Sequence, residues 1–300
     1  MSELLPHESD TPAPRDMNWG LERRLQFIDF RLRWERRINR NDLIEYFGIS
    51  TPQASHDIAR YTELAPENLV YDRSSKTYIV TGNFRPFFPR SSAYRYLAEL
   101  FATKQGLMEP SSSFIGSSPE LVWAPTPSRV INEYTVEKLV RAIQEKLAIH
   151  IRYQSMTSLE ESERLLSPHA FGYDGFRWHV RAFCHKKQRF SDFVLARILS
   201  TDGFEPSEID PQQDLHWQNI LDLILVPNPN LSPAQKRVVE LDYGMENGTA
   251  KLQCRQAFLG YTLKRLGLMI NETSNPVIQH IALQNRDAIQ PYLSELNLQI

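Results

Sequence analysis

The fold is decided by residues 164–198. They read Arg164-Leu-Leu-Ser-Pro-His-Ala-Phe-Gly-Tyr-Asp-Gly-Phe-Arg-Trp-His-Val-Arg-Ala-Phe-Cys-His185, then a basic turn from Lys186 to Arg189, then Phe190-Ser-Asp-Phe-Val-Leu-Ala-Arg-Ile198. Phe176, Trp178, Val180, Ala182 and Cys184 alternate with Arg177, His179, Arg181, Phe183 and His185, which is the period of a β-strand. One face is apolar, with Trp178 and Cys184 expected in a core. The other is cationic. A second strand, Phe190 to Ile198, carries Arg197. A hairpin cannot bury an apolar face alone, so further strands must pack on it, and the cationic face is left for an anion. The expectation is a sheet that binds a negatively charged ligand.

Working outward, Ile149, Ile151 and Tyr153 alternate with His150, Arg152 and Gln154, giving a strand ahead of Leu165 to His169. Several short antiparallel strands within residues 148–205 suit a small β-barrel. Upstream, Val136, Leu139, Val140, Ile143 and Leu147 mark a helix, and Tyr94, Leu97, Leu100 and Phe101 a shorter one. Residues 86–147 therefore read as a helical connector, entered through a Pro-containing linker from Phe84 to Pro89.

Nearer the N-terminus, Leu21, Leu25, Ile28 and Leu32 lie on one face of a helix from about Trp19 to Arg37. Asn39 suits an N-cap with Asp42 in the first turn, and Gly48 suits the left-handed end of that second helix. Ser50 or Thr51 can cap a third helix, with Pro52 in its first turn and Gln53 in capping-box spacing. Two helices joined by a Gly-containing turn have the form of a helix-turn-helix. Ala54, Ile58 and Tyr61 should face its core. Thr51, Gln53, Ser55, His56 and Arg60 then face outward, with side chains suited to base edges and phosphates. Leu69 to Tyr71 and Thr77 to Val80 flank a tip carrying Arg73, Ser74 and Lys76, a wing placed to reach a DNA backbone. Residues 17–85 are expected to be this winged head, and residues 1–16 a disordered leader.

Past Gly203 the chain turns acidic: residues 201–300 hold 7 Lys/Arg against 12 Asp/Glu, whereas residues 150–200 hold 8 against 5. In residues 206–300 a helix is expected over Leu215 to Leu225, strands at Val238 to Tyr243 and Lys251 to Ala257 about an Asn247-Gly248 turn, a helix from Phe258 to Leu268, and a strand from Pro276 to Leu283. Cys184 and Cys254 are too few for a disulfide framework or a zinc site. No apolar run approaches a membrane span and Met1 to Arg15 lacks a signal-peptide core, so a cytoplasmic protein is expected. There is no phosphate-binding glycine loop, carboxylate cluster or metal-ligand spacing, so no catalytic residue, cofactor or metal is expected.

The order Ile-x-Tyr, Ser-Pro-His, a Gly turn into Arg-Trp-His-Val-Arg-Ala-Phe-Cys, then Phe-x-Leu-Ala-Arg-Ile resembles a WYL domain, a small Sm-like barrel of bacterial regulators. The family's name triplet stands here as Trp178-His179-Val180. Joined to the winged head and the C-terminal extension, it resembles WYL-domain transcriptional regulators of the BrxR/CapW type. The Gly48-to-Ser55 run and the Tyr71-to-Lys76 wing match most closely. The resemblance implies an α+β multidomain chain: winged helix-turn-helix, WYL barrel, and a C-terminal α+β domain that dimerises. It implies a homodimeric repressor on an inverted-repeat operator of an anti-phage defence (BREX-like) operon. It also implies an anionic effector, a nucleotide or single-stranded nucleic acid, bound by Tyr153, Ser155, His169, His179, Arg181 and Arg197. Arginine suits bidentate phosphate recognition. A transcriptional activator remains an alternative within the family, and a nucleic-acid-processing enzyme a more distant one.

Overall fold

The computed structural model describes residues 18–296 apart from 89–91, 128, 157–159, 270–275 and 277, so the expected leader lies outside the described residues. The contacts divide the chain into two units, residues 1–125 and 126–300.

In the first unit, helix α1 (Trp19–Glu35) is capped by Asn18, whose side chain accepts from the Gly20 N–H, and it buries Leu25, Phe27, Ile28, Phe30 and Leu32. Arg36, in the left-handed region at φ 63°, ends it and starts strand β1 (Arg37–Ile38). Helix α2 (Arg40–Phe47) begins at the expected N-cap Asn39, which forms a full capping box with Asp42: Asn39 Oδ1 accepts from the Asp42 N–H at 3.0 Å, and Asp42 Oδ2 accepts from the Asn39 N–H at 2.6 Å. Gly48, at φ 65°, lets the chain turn where a Cβ would be strained. Helix α3 (Thr51–Leu64) starts at Ser50, and its Ala54, Ile58 and Tyr61 are buried as expected. Strands β2 (Leu69–Asp72) and β3 (Thr77–Val80) form the wing, in a sheet of order β1-β3-β2. Strand β1 is too short to show a period, so it was not anticipated.

A buried polar node fixes this unit. Asp29 accepts from Tyr61 Oη at 2.6 Å and from the Phe87 and Phe88 N–H groups at 2.9 and 3.3 Å. Asn68 donates to Tyr61 Oη at 2.9 Å. Burial pushes the Asp29 carboxyl up against these donated bonds, and burial beside Asp29 pushes the Tyr61 phenol up as well. Phe88 and Phe114 belong to the same apolar core as α1 to α3. The stretch expected as a connector is thus shared. Helix α4 (Ala93–Lys104) falls in the first unit, and helix α5 (Glu133–Gln144) packs Leu139 and Ala142 into the core of the second.

The second unit opens with strands β4 (Leu147–Tyr153), β5 (Ser162–Tyr173), β6 (Trp178–Cys184) and β7 (Arg189–Val194), then a 3₁₀ turn (Leu195–Arg197) and β8 (Ile198–Pro206). They make one antiparallel sheet of order β7-β6-β5-β4-β8. The expected barrel is not closed: among the described residues β7 and β8 do not pair, because the chain leaves β7 through the 3₁₀ turn and β8 adds to β4. That turn also ends the second hairpin strand at Val194 rather than Ile198.

Helix α6 (Leu215–Gln218), strand β9 (Ile220–Pro227), helix α7 (Pro233–Asp242), strand β10 (Ala250–Arg255), helix α8 (Leu259–Arg265), strand β11 (Ile281–Leu283) and helix α9 (Arg286–Leu296) follow, with sheet order β10-β9-β11. Two sequence expectations are overturned. The helix expected over Leu215 to Leu225 is a single turn followed by β9, where Leu221, Leu223 and Leu225 point inward with period two. The strand expected at Val238 to Tyr243 is the end of α7. That helix starts earlier, at a Ser232/Gln235 capping box with Pro233 in its first turn. The Asn247-Gly248 turn and the β10 and α8 elements stand as read.

Candidate DNA-reading face and anion site

Helix α3 turns Thr51, His56 and Arg60 to solvent and leaves Gln53 and Ser55 half-exposed. All five expected reading residues thus lie on the surface of the helix while Ala54, Asp57, Ile58 and Tyr61 lie inside. Three are also engaged within the protein. Arg60 pairs with Glu63 at 2.9 Å, Ser55 Oγ donates to the Thr51 carbonyl at 3.0 Å, and Gln53 Nε2 donates to Asp57 Oδ1 at 2.9 Å. The Arg60 pair is exposed and weak, so it is readily exchanged for a phosphate.

At the wing tip Arg73, Ser74 and Lys76 are exposed. The turn is built by Asp72, whose carboxylate accepts from Ser75 Oγ at 2.6 Å and from Ser74 N–H and Oγ at 3.0 and 2.9 Å; these donors lower its pKa to about 2. The Ser74 hydroxyl therefore shapes the turn, and Arg73 and Lys76 carry its charge. Lys76 sits at φ 54°, which turns the chain back into β3.

The β6 face expected to be open and cationic is covered. The alternation is as read, since Val180, Ala182 and Cys184 enter the sheet's core, but His179 and Arg181 on the opposite face are also buried. The cover comes from the C-terminal segment. Trp217 meets His169 edge-on at 5.4 Å, Tyr261 lies 4.9 Å and Phe258 6.1 Å from the His179 ring. Gly172 admits this layer, for a Cβ there would stand 2.0 Å from the Phe258 ring. Trp178, expected in the core, is instead 46% exposed. It stands at the strand's first position, beyond the buried residues of the sheet's core, against Tyr173 at 4.8 Å.

Under that cover the charges are matched. Arg181 binds Asp214 twice, Nε to Oδ2 at 2.7 Å and Nη2 to Oδ1 at 2.9 Å, and reaches Asp192 at 3.3 Å. His169 Nε2 lies 2.9 Å from the same Asp214 carboxylate. Burial would raise Asp214, but the bonds from Arg181 and His169 hold it well below the usual carboxylate range. Burial pushes Asp192 up despite Arg181. His179 Nε2 lies 3.1 Å from Asp174, which also accepts from Arg177 at 2.8 Å. Burial depresses the His179 imidazole although Asp174 opposes it. A neutral ring giving its Nε2 proton to Asp174 fits both, and its Nδ1 has no partner among the described residues.

Of the six expected ligand residues, the structure brings His169 and Arg181 together on Asp214 and places His179 on a neighbouring carboxylate. Tyr153 is buried, with its hydroxyl accepting from the Val194 N–H at 3.2 Å and its ring against Phe193. It therefore serves the sheet's core. Ser155 is half-buried just past β4, and Arg197 is half-buried in the 3₁₀ turn, where its carbonyl accepts from the Gln154 N–H. No described ion pair joins Arg197 to the Arg181 cluster. A cavity of about 90 Å³ opens beside His169, lined by Ser167, Phe190, Ser207 and Pro211 among others. Sequence reasoning missed Asp214, Trp217, Phe258 and Tyr261. They lie 33 or more residues from Arg181, and no local pattern announces the pairing.

Residues 20–102 match a family model described as the BrxR transcriptional regulator winged helix-turn-helix domain, residues 134–202 a WYL domain, and residues 220–289 the BrxR transcriptional regulator C-terminal dimerization domain. The "DNA-binding transcriptional repressor CapW" of Stenotrophomonas maltophilia is 44% identical over 281 residues, covering 93% of this chain and 94% of its own. Those of Escherichia coli (strain KTE188) and Pseudomonas aeruginosa are each 42% identical, covering 92% and 91% of this chain and 93% and 91% of their own. Among solved structures, proteasome accessory factor B/C of Arthrobacter aurescens covers 99% of this chain and 52% of its own at 14% identity and a TM-score of 0.25, too slight a likeness to inform the fold. A winged head, a WYL sheet and a C-terminal α+β domain in this order, with that identity over nearly the whole length, place the chain in the family of WYL-domain transcriptional regulators of the BrxR/CapW type.

Proposed function

We propose that this chain is a homodimeric, sequence-specific DNA-binding repressor of a bacterial anti-phage defence operon. The observation that carries the reading is the outward row on α3, Thr51, Gln53, Ser55, His56 and Arg60, beside a wing with Arg73 and Lys76 at its tip. The relatives named as DNA-binding repressors support it. Each α3 enters a major groove, the wings hold the flanking backbone, and the C-terminal domains join two copies, so the target is an inverted repeat. The protein works in the cytoplasm as a binding protein, not as an enzyme. Among the described residues no helix is long and apolar enough to cross a membrane.

The effector is an anionic ligand, a nucleotide or single-stranded nucleic acid, that takes Arg181 and His169 from Asp214. The cavity beside His169 is small, so such a ligand must move the segment carrying Asp214 and Trp217. That movement alters how the C-terminal domain is seated and gives the ligand different affinities for the two states, as release requires. The test is a mobility-shift titration of the full chain, at moderate salt, on the duplex upstream of its own gene and on a scrambled duplex. A specific shift is expected; equal affinity for the two duplexes would overturn the reading.

A further inference from the structure

Gln53, in the first turn of α3, is joined to the interior by two successive bonds. Its Nε2 donates to Asp57 Oδ1 at 2.9 Å. Asp57 is wholly buried, and Arg24 of α1 grips its carboxylate, Nε to Oδ2 at 2.6 Å and Nη2 to Oδ1 at 3.3 Å. A chain of hydrogen bonds thus runs from α1 through the interior of the head to the surface row of α3.

The chemistry of that chain constrains the amide. An ionised carboxylate only accepts hydrogen bonds, so Gln53 must turn its NH₂ toward Asp57. The flipped amide would set Oε1 against Asp57 Oδ1, two acceptors facing each other. The carbonyl Oε1 and the second N–H remain, and no described side chain bonds that Oε1. Adenine offers N7 as an acceptor beside its N6 amino donor in the major groove, the complement of a C=O beside an N–H; guanine offers two acceptors, N7 and O6. A freely turning glutamine can present its NH₂ to either purine. One held by Asp57 presents its acceptor outward as well, which suits adenine and repels guanine O6.

We infer that Arg24 and Asp57 are positioning residues that fix Gln53 as the reader of one A·T pair in each half of the operator. The inference rests on the reading of α3 as the DNA-contacting helix. Arg24 holds the carboxylate still, the carboxylate holds the amide, and the amide reads the base. In the bland account the Arg24–Asp57 pair merely ties α1 to α3, and Gln53 is a bystander.

The experiment is a binding selection on operator duplexes randomised one position at a time, using the full-length protein. Wild type is expected to favour A·T at one position per half-site by roughly tenfold to a hundredfold. Gln53→Ala is expected to erase that preference and leave the other positions alone. Asp57→Asn, with a thermal midpoint confirming that the head is folded, is expected to lose the same preference at the same position. Its salt dependence of binding should be unchanged, because no phosphate contact is lost. Arg24→Lys, which keeps a cation on the carboxylate but removes the fork, serves if Asp57→Asn does not fold, and should weaken the same preference in part. A folded Asp57 or Arg24 variant with the full A·T preference overturns the inference while the DNA-binding reading stands. So does a loss spread evenly over all positions. A Gln53→Ala profile identical to wild type would likewise overturn the inference, because Gln53 would then read no base, whereas loss of all discrimination between operator and scrambled duplex by the wild-type chain would sink the DNA-binding reading itself.

Discussion

Asp214 holds Arg181 through two bonds, at 2.7 and 2.9 Å, across 33 residues of sequence. The pair ties the segment that leads into the C-terminal domain onto β6 of the WYL sheet. Both side chains are nearly inaccessible, at 5% and 2%. Their mutual desolvation makes the pair costly to break and nearly neutral to replace.

Arg181→Ala is therefore expected to destabilise the second unit by about 3–5 kcal/mol, because it leaves Asp214 and Asp192 buried without their cation. The double replacement Arg181→Met with Asp214→Leu should cost much less than the sum of the single changes. Urea denaturation of wild type, Arg181→Ala, Arg181→Met, Asp214→Leu and the double replacement measures this. Additive losses would mean that the two residues act separately.

Asp214→Asn is expected to bind a short 5′-phosphorylated single-stranded oligonucleotide about tenfold more tightly than wild type. An intramolecular carboxylate competes at an effective concentration near the millimolar range, and the amide competes poorly for a guanidinium. Fluorescence anisotropy with a labelled oligonucleotide reads the change. Unaltered or weaker binding would detach Arg181 from effector recognition.

Acid should weaken the second unit in two stages. Burial depresses the His179 imidazole against Asp174, and burial depresses His185 against Glu205. A group whose folded value lies below its unfolded one contributes stability that is whole above the unfolded value and is lost as pH falls toward the folded one. The first loss thus begins below about 6.5, the ordinary histidine value. Asp174 and Asp214, held low by their donors despite burial, give way only below about 3.8. The urea midpoint is expected to fall between pH 7.5 and 5.5, and less so in His179→Gln. An equal fall in the variant would assign the loss to other groups.

At the wing, Arg73→Ala and Lys76→Ala are each expected to reduce the slope of log affinity against log salt by about 0.9, with sequence preference intact. Binding titrations from low to moderate salt give the slopes. A change in base preference with no change in slope would place these side chains in a groove instead of on the backbone.

Much of the head was legible because its signals are local. Asn39 with Asp42, Gly48, and Ser50 with Pro52 each act within four residues and end or start a helix where they were read, although Gln53 turns its side chain to Asp57 and leaves the Ser50 box one-sided. The two-residue alternation of β6 was equally local and held. What failed depended on distance or on a start signal several residues upstream. Whether the His179–Arg181 face is open depends on Phe258 and Tyr261, more than seventy residues on. Val238 to Tyr243 resembles a strand until Ser232 and Pro233 are seen to launch a helix ahead of it. The Gln53–Asp57 link spans four residues on one helix, yet its role emerges only with Arg24, which comes from another helix.

The central claim is that paired copies of α3 and the wing read an inverted repeat, and a hydroxyl-radical footprint of the full chain on its upstream DNA tests it most directly. The expected result is two protected patches related by a two-fold axis and centred about one helical turn, or a whole multiple of it, apart, roughly 10 base pairs per turn. Both patches should be lost together in a Gln53→Ala, His56→Ala, Arg60→Ala triple variant that remains folded. A single unpaired patch, uniform weak protection, or a footprint that survives the triple variant would contradict the account.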